Sequence, residues 1–208
     1  PLEHDLQNPN SLPSGLAFPK KYSGGGRRPT TVKHNIVGLA QHRHPQKMFR
    51  LDTEDKSPIS PETTAALLEQ AETLLDGADV LCLEDYHKGV LGEALCQGLL
   101  APAQAKSTPA LAAPAAITYY TQYRGATCIT PNRTEAQLAT GESDPHAMAA
   151  KLKAELGLTH VVLTLDKSGA LLLDDQGQTH TVPTGARSVY DVTGAGDMVL
   201  AMLAAARA

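Results

Sequence analysis

The chain has 208 residues, 42% of them hydrophobic and 19% charged, with a formal net charge of -4. It is long enough to bury one domain and short for two. An ordinary composition with a mildly acidic balance gives no broad attraction to nucleic acid or to an anionic membrane, so neither is expected as a partner.

Cys82, Cys96 and Cys128 are far apart and form no C-x-x-C pair. That suggests neither a disulfide framework nor a zinc knuckle, and it fits a reducing cytoplasm. No apolar run reaches the roughly 18 residues of a membrane span, and the first residues lack a basic-then-apolar secretory pattern. The Asn132-Arg133-Thr134 sequon is therefore expected to carry no glycan. The chain starts at Pro1 and stops at Ala208 inside an alanine-rich run that reads as an unfinished helix, so a fragment is expected.

Residues 1–29 hold several prolines and the run Gly24-Gly25-Gly26-Arg27-Arg28, with no sustained apolar period, and read as an irregular segment. No strand precedes those glycines and no Lys-Ser pair follows, which disfavours a phosphate loop there. The β-rich runs Thr31 to Leu39 and Lys47 to Leu51 predict a two-stranded ribbon within residues 30–52. Between them, His42 and His44 have no cysteine or carboxylate beside them and read as solvated side chains.

Ser60 followed by Pro61 predicts a helix start, and Leu67, Leu68, Ala71, Leu74 and Leu75 share one face before Gly77. Short apolar runs then alternate with helical stretches. Val80 to Leu83 precedes Val90 to Leu100; Thr127 to Thr130 precedes a helix near Thr134 to Ala139; a helix from Pro145 to Leu156 precedes His160 to Leu165. This alternation predicts an α/β sandwich with a mainly parallel sheet. Ligands of such sheets sit beyond the carboxyl ends of the strands, here the turns after Leu83, Thr130 and Leu165. Ala170 to Leu173, a turn at 174–177 and Thr179 to Val182 predict an antiparallel hairpin at the sheet edge.

The sharpest chemical signal is Asp191-Val192-Thr193-Gly194-Ala195-Gly196-Asp197, followed at once by the helix-like run Met198 to Ala206. Small residues at 194–196 let backbone amides approach a ligand, and a helix N-terminus adds positive potential suited to phosphate oxygens. Asp197 can take the proton of an attacking hydroxyl while the amides of Ala195 and Gly196 stabilise a transferring phosphoryl group. Taken alone, the same glycines also read as a close-packed cap. No G-x-x-x-x-G-K-[ST] occurs, so the phosphate site is not a P-loop.

The segment from Asp191 to Asp197 resembles the C-terminal signature of the ribokinase-like (PfkB) family of carbohydrate kinases, whose last aspartate is the catalytic base. Two further segments stand in matching order. Thr130-Pro131-Asn132-Arg133-Thr134-Glu135 resembles the family's N-x-x-E motif, and Thr164-Leu165-Asp166-Lys167-Ser168-Gly169 resembles its strand-to-turn segment near the nucleotide phosphates. The resemblance implies ATP and Mg2+ as cofactors, with Asn132 and Glu135 arranging the metal and Thr164 and Gly169 beside the phosphates. It also implies that Gly194, Ala195 and Gly196 surround the phosphoryl group, that Thr193 belongs to the nucleotide site, and that Asp191 helps order the loop at a monovalent-cation site. Each has a plainer alternative: Asn132 and Glu135 can cap the following helix, and Gly169 can serve only its turn.

Arg28-Pro29-Thr30-Thr31-Val32-Lys33, Phe49-Arg50-Leu51-Asp52, Asp85-Tyr86-His87-Lys88-Gly89 and Tyr123-Arg124-Gly125-Ala126 narrow the resemblance. They look like the R-P-T-T-x-K, R-L-D, D-Y-x-K-G and Y-R-G-A segments of family members that phosphorylate heptose 7-phosphate at its anomeric hydroxyl. Those members serve ADP-heptose synthesis for lipopolysaccharide and are often fused to an adenylyltransferase domain. A phosphorylated sugar needs cationic partners, for which Lys33, Lys88 and Arg124 are the candidates, though each also reads as ordinary surface charge. The implied architecture is a three-layer α/β/α kinase domain over 30–208, with 30–52 as a small β-lid and a homodimer expected through the lid.

The resemblance covers roughly residues 28–208, about two-thirds of a domain by usual domain sizes. It departs at Ala113-Pro114-Ala115-Ala116, where the family usually carries Asp-Pro-Lys-Gly, and in lacking the first strand with its sugar-binding aspartate and the last helices of the adenine pocket. Two alternatives stay open: another sugar or nucleoside kinase of the same fold, and a non-catalytic nucleotide-binding module.

Overall fold

The computed structural model describes residues 28, 30–39, 46–185 and 194–207. The glycine run at 24–26, His42 and His44, Asp191 and Thr193 lie outside them. After Glu54 the chain divides into two units. In the first, β1 (Val32–Gly38) and β2 (Gln46–Thr53) pair antiparallel, as the β-rich runs predict. The register sets His34 opposite Leu51 and Ile36 opposite Phe49, while Lys33 opposes Asp52 and Asn35 opposes Arg50. Because side chains alternate across a strand, one face of the ribbon is largely apolar and the other charged.

The second unit begins with α1 (Pro61–Leu75). Ser60 accepts the N–H of Thr63 at its N-terminus, and Pro61 takes the first helical position. Leu68, Ala71 and Leu75 are covered, but Leu74 is 73% exposed, contrary to its place in the apolar stripe. The covered row is narrower than the stripe, and Leu74 falls off its edge. A Cβ on Gly98 would come within 2.6 Å of Leu68, so glycine there lets α1 lie close on the next helix.

Six strands form one sheet in chain order: β3 (Leu81–Glu84), β4 (Ala110–Ala113), β5 (Cys128–Ile129), β6 (His160–Thr164), β7 (Ala170–Leu173) and β8 (Thr179–Val182). β3 to β6 are parallel, and β7 and β8 add the antiparallel edge hairpin. The helices α2 (Glu93–Ala105), α3 (Arg133–Thr140) and α4 (Pro145–Leu156) connect the parallel strands. Leu95, Leu99, Leu100, Met148, Leu152 and Leu156 join Ile129, Val161 and Leu163 in the larger core on one face. On the other, α5 (Ala195–Arg207) sets Leu200, Val199 and Leu203 against Leu111, Cys128 and Val162.

The result is the expected three-layer α/β sandwich. β4 is the element that periodicity does not reveal. Its residues are Ala-Leu-Ala-Ala, whose intrinsic preference is helical, and only burial between two parallel neighbours makes them a strand. Val90 to Gly92 form a turn before α2 rather than its first residues, because Gly92 takes the N-cap.

α5 runs antiparallel to the parallel strands. Its first turn meets the carboxyl end of β3, through the Glu84–Asp197 hydrogen bond, while Arg207 near its other end bonds His160 at the start of β6. The helix N-terminus is thus carried to the ligand side of the sheet. Among the described residues no helix is long and apolar enough to cross a membrane.

Candidate active site

The helix begins at Ala195, three residues before the apolar run suggests. Gly194, with φ of 78°, supplies the carbonyl that accepts the first intrahelical bond, from the Met198 N–H at 3.0 Å. The N–H groups of Ala195, Gly196 and Asp197 are first-turn donors with no intrahelical acceptor. A Cβ built on Gly196 meets nothing within 4 Å, and one on Gly194 reaches only Asp197 Oδ2 at 3.9 Å. Among the described residues neither glycine is required by packing, while the left-handed φ of Gly194 is a conformation that glycine adopts without strain. The exposed carboxylate of Asp197 stands in the same first turn as these amides.

The turn after β3 supplies the facing groups. Tyr86 Oη–H donates to Glu84 Oε1 at 2.9 Å, and Glu84 is hydrogen-bonded to Asp197. Burial, then the bond to Asp197, pushes the Glu84 carboxyl up, while Tyr86 pulls it back. Burial first, then the bond to Glu84, raises the Tyr86 phenol. Asp85 faces the other way: its Oδ2 accepts Tyr123 Oη–H at 2.6 Å and Gln122 Nε2 at 3.4 Å, and its Oδ1 accepts the His87 N–H at 2.7 Å. Tyr123 is fully buried, and burial and Asp85 together raise its phenol. This network fixes the turn that carries the half-buried Lys88.

Past β5, Asn132 and Glu135 form a capping box at the start of α3. Glu135 N–H donates to Asn132 Oδ1 at 2.9 Å, and Asn132 N–H donates to Glu135 Oε2 at 2.7 Å. The cap holds both side chains at the ligand end of the sheet, where burial pushes the Glu135 carboxyl up against the pull of Asn132. Thr164 bridges Asn132 from the end of β6. Among the described residues no three His, Cys, Asp or Glu side chains gather into a metal cage. One carboxylate beside an amide oxygen suits instead a magnesium ion that keeps its waters and arrives with nucleotide phosphates.

Gly169 has a structural reason for its identity: at φ of 90° its Cβ would lie 1.9 Å from Val182 O, so glycine lets the hairpin backbones meet. Lys33 lies on the exposed ribbon of the first unit, opposite Asp52. Arg124 does not join the groups around Asp197. The Gly125 N–H bonds Leu156 O at the end of α4, and Arg124 lines a hollow of about 310 Å³ with Tyr119, Glu155 and Leu156. Glu84 is the addition that sequence reasoning passes over, and Asp85 and Tyr123, which open the D-Y-x-K-G-like and Y-R-G-A-like segments, are joined to each other. The advance signal for Glu84 is that it ends a parallel strand.

A family described as pfkB family carbohydrate kinase matches residues 32–208. The chain belongs to that family. It is similar to the "Bifunctional protein HldE" of Paramagnetospirillum magneticum, at 41% identity over 186 residues, covering 87% of this chain and 37% of that protein. The same-named protein of Methylobacillus flagellatus is 41% identical over 185 residues, covering 86% and 36%. The chain thus spans little more than a third of the curated relatives' length. Among solved structures, phosphofructokinase-2 from Escherichia coli in complex with potassium superposes with a TM-score of 0.60 at 20% identity, over 78% of this chain and 54% of that one. Arabidopsis thaliana ribokinase complexed with ribose and ATP gives 0.57 at 17% identity, over 84% and 56%. At such identities the likeness speaks for the fold, which is ribokinase-like.

Proposed function

We propose that this pfkB-family chain is the larger part of an ATP-dependent carbohydrate kinase that phosphorylates a sugar phosphate, with heptose 7-phosphate as acceptor and the 1,7-bisphosphate as product. The observation that carries the reading is the exposed Asp197 carboxylate beside the open first-turn amides of α5, at the carboxyl end of β3. In the reaction the acceptor hydroxyl gives its proton to Asp197 while its oxygen bonds the γ-phosphorus and the bond to the ADP oxygen breaks. The amides of Ala195 and Gly196 meet the charge on the transferring group. Asn132 and Glu135 would hold magnesium, which when bound neutralises charge on the nucleotide phosphates. Thr164 and Gly169 belong to the same nucleotide side, as do Asp191 and Thr193 with a monovalent cation.

The choice of heptose 7-phosphate rests on the segments around Lys33, Asp52, Lys88 and Arg124. Lys88 has the best support, since its turn is anchored at the ligand end of the sheet. The domain reading is residues 1–29 as an irregular segment and 30–208 as the kinase, with 30–52 as its lid. The apolar ribbon face supports a homodimer through the lid. A cytoplasmic setting and a role in ADP-heptose synthesis accompany this reading. The alanines at 113, 115 and 116 favour a second one, a non-catalytic nucleotide-binding module, because they remove a carboxylate and an ammonium from the ligand side.

Steady-state comparison of heptose 7-phosphate, ribose, fructose 6-phosphate and adenosine tests the acceptor. Heptose 7-phosphate is expected to be preferred, and Lys88→Ala to weaken its binding by roughly 10-fold to 150-fold with ATP use little changed, as for loss of one charge-assisted bond. Preference for ribose or adenosine defeats the heptose assignment. Nucleotide binding without transfer to any acceptor supports the second reading.

A further inference from the structure

The carboxyl end of β3 brings a second carboxyl group to Asp197. We propose that Glu84 and Tyr86 are positioning residues for Asp197, with Glu84 sharing a proton with it across the gap between β3 and α5 and Tyr86 clamping Glu84 from the other side. The inference rests on the reading of Asp197 as the base, and it adds to that reading what sets the basicity of the group.

Two carboxyl groups can hydrogen-bond only if one carries a proton. The Glu84 and Asp197 carboxyl groups lie within hydrogen-bond reach of each other, and Tyr86 Oη–H donates to Glu84 Oε1 at 2.9 Å. Tyr86 also lies within hydrogen-bond reach of Asp197, so its hydroxyl closes a three-member ring of polar groups. The members come from elements that the fold holds rigidly. Glu84 ends a strand paired along its length with β4, and Asp197 is in the first turn of a helix seated on the sheet through Leu200 and Leu203. The titratable groups acting on Glu84 are Asp197 from α5 and Tyr86 from its own turn, and Glu84 acts in turn on Cys82 of β3.

The arrangement has a chemical consequence. While Glu84 is protonated, Asp197 accepts a hydrogen bond and is a weaker base. Once Glu84 ionises, Asp197 faces a like charge and holds a proton more strongly. The proton taken from the acceptor hydroxyl then rests on Asp197, beside a carboxylate able to share it. Asp85, one residue on, takes no part, because its oxygens are committed to Tyr123, Gln122 and the His87 N–H.

The test is a carboxyl carbon NMR titration of Glu84 in the parent chain, in Asp197→Asn and in Tyr86→Phe, with amide spectra to confirm the fold. Asp197→Asn is expected to move the Glu84 titration to lower pH and Tyr86→Phe to move it to higher pH, two opposite shifts that a merely structural role does not produce. A Glu84 that titrates identically in all three chains overturns the pairing, whatever the activity. If the parent transfers phosphate, Glu84→Gln should move the acid limb of kcat/KM to lower pH and lower turnover by less than the roughly 100-fold minimum expected for loss of a base. An unmoved limb in an active Glu84→Gln enzyme also overturns the proposal. A parent that transfers phosphate to no acceptor counts against the kinase reading, and the titration then decides the pairing by itself.

Discussion

Two turns of the second unit use one backbone device for different ends. After β3, His87 has φ of 53° and Gly89 of 73°; after β6, Asp166 has 51° and Gly169 90°. In each, a Cβ on the glycine would overlap a carbonyl oxygen, Ser57 O at 2.0 Å and Val182 O at 1.9 Å. The side chains differ. Asp85 in the first turn is tied to the buried Tyr123 and aims its neighbours at the helix N-terminus, whereas Asp166 in the second is exposed and nears Arg133 only at 3.9 Å. Strained backbone therefore marks both turns, and the anchored polar network is what distinguishes the first from the second.

The largest effects should be shared. Gly89→Ala and Gly169→Ala are each expected to cost at least about 3 kcal/mol, since left-handed strain adds to an overlap that only backbone movement relieves. Urea midpoints of the two variants check this. Tolerance of alanine at one site alone would break the parallel between the turns.

Tyr123→Phe should separate them. It removes the hydroxyl given to Asp85, at about 1.5 to 3 kcal/mol for a bond to a charged group, and among the described residues the turn after β6 has no such bond. KM for the acceptor should rise while KM for ATP holds. A pure loss of thermal stability would reduce Tyr123 to a packing residue.

The smallest effects should again be shared. His87→Gly and Asp166→Gly relieve left-handed strain at the expense of unfolded-state entropy, for a net gain of under about 1 kcal/mol in each, read from thermal midpoints. A loss at His87 alone would show that its side chain makes a contact the turn depends on.

Much of this architecture was legible in the sequence, for identifiable reasons. α4 and the β7–β8 hairpin were readable because Pro145, the apolar spacing and the turn at 174–177 all point the same way. The Asn132–Glu135 pair was legible twice over, as a motif and as a cap, and the cap is present at the start of α3. Leu74 was misplaced because periodicity gives the direction of an apolar face but not its width. Arg124 was a candidate phosphate partner by charge, and it lines a hollow with Tyr119, Glu155 and Leu156. The pairings of Glu84 and Tyr123 could not be foreseen, since their partners, Asp197 and Asp85, lie 113 and 38 positions away in the chain.

The central claim is that Asp197 is the base at an anion-binding helix terminus, and Asp197→Asn tests it most directly. Turnover with ATP and heptose 7-phosphate should fall by roughly 100-fold to 10,000-fold, the range for a positioned general base. The thermal midpoint should hold, because the side chain is exposed. Turnover near that of the parent chain would contradict the account.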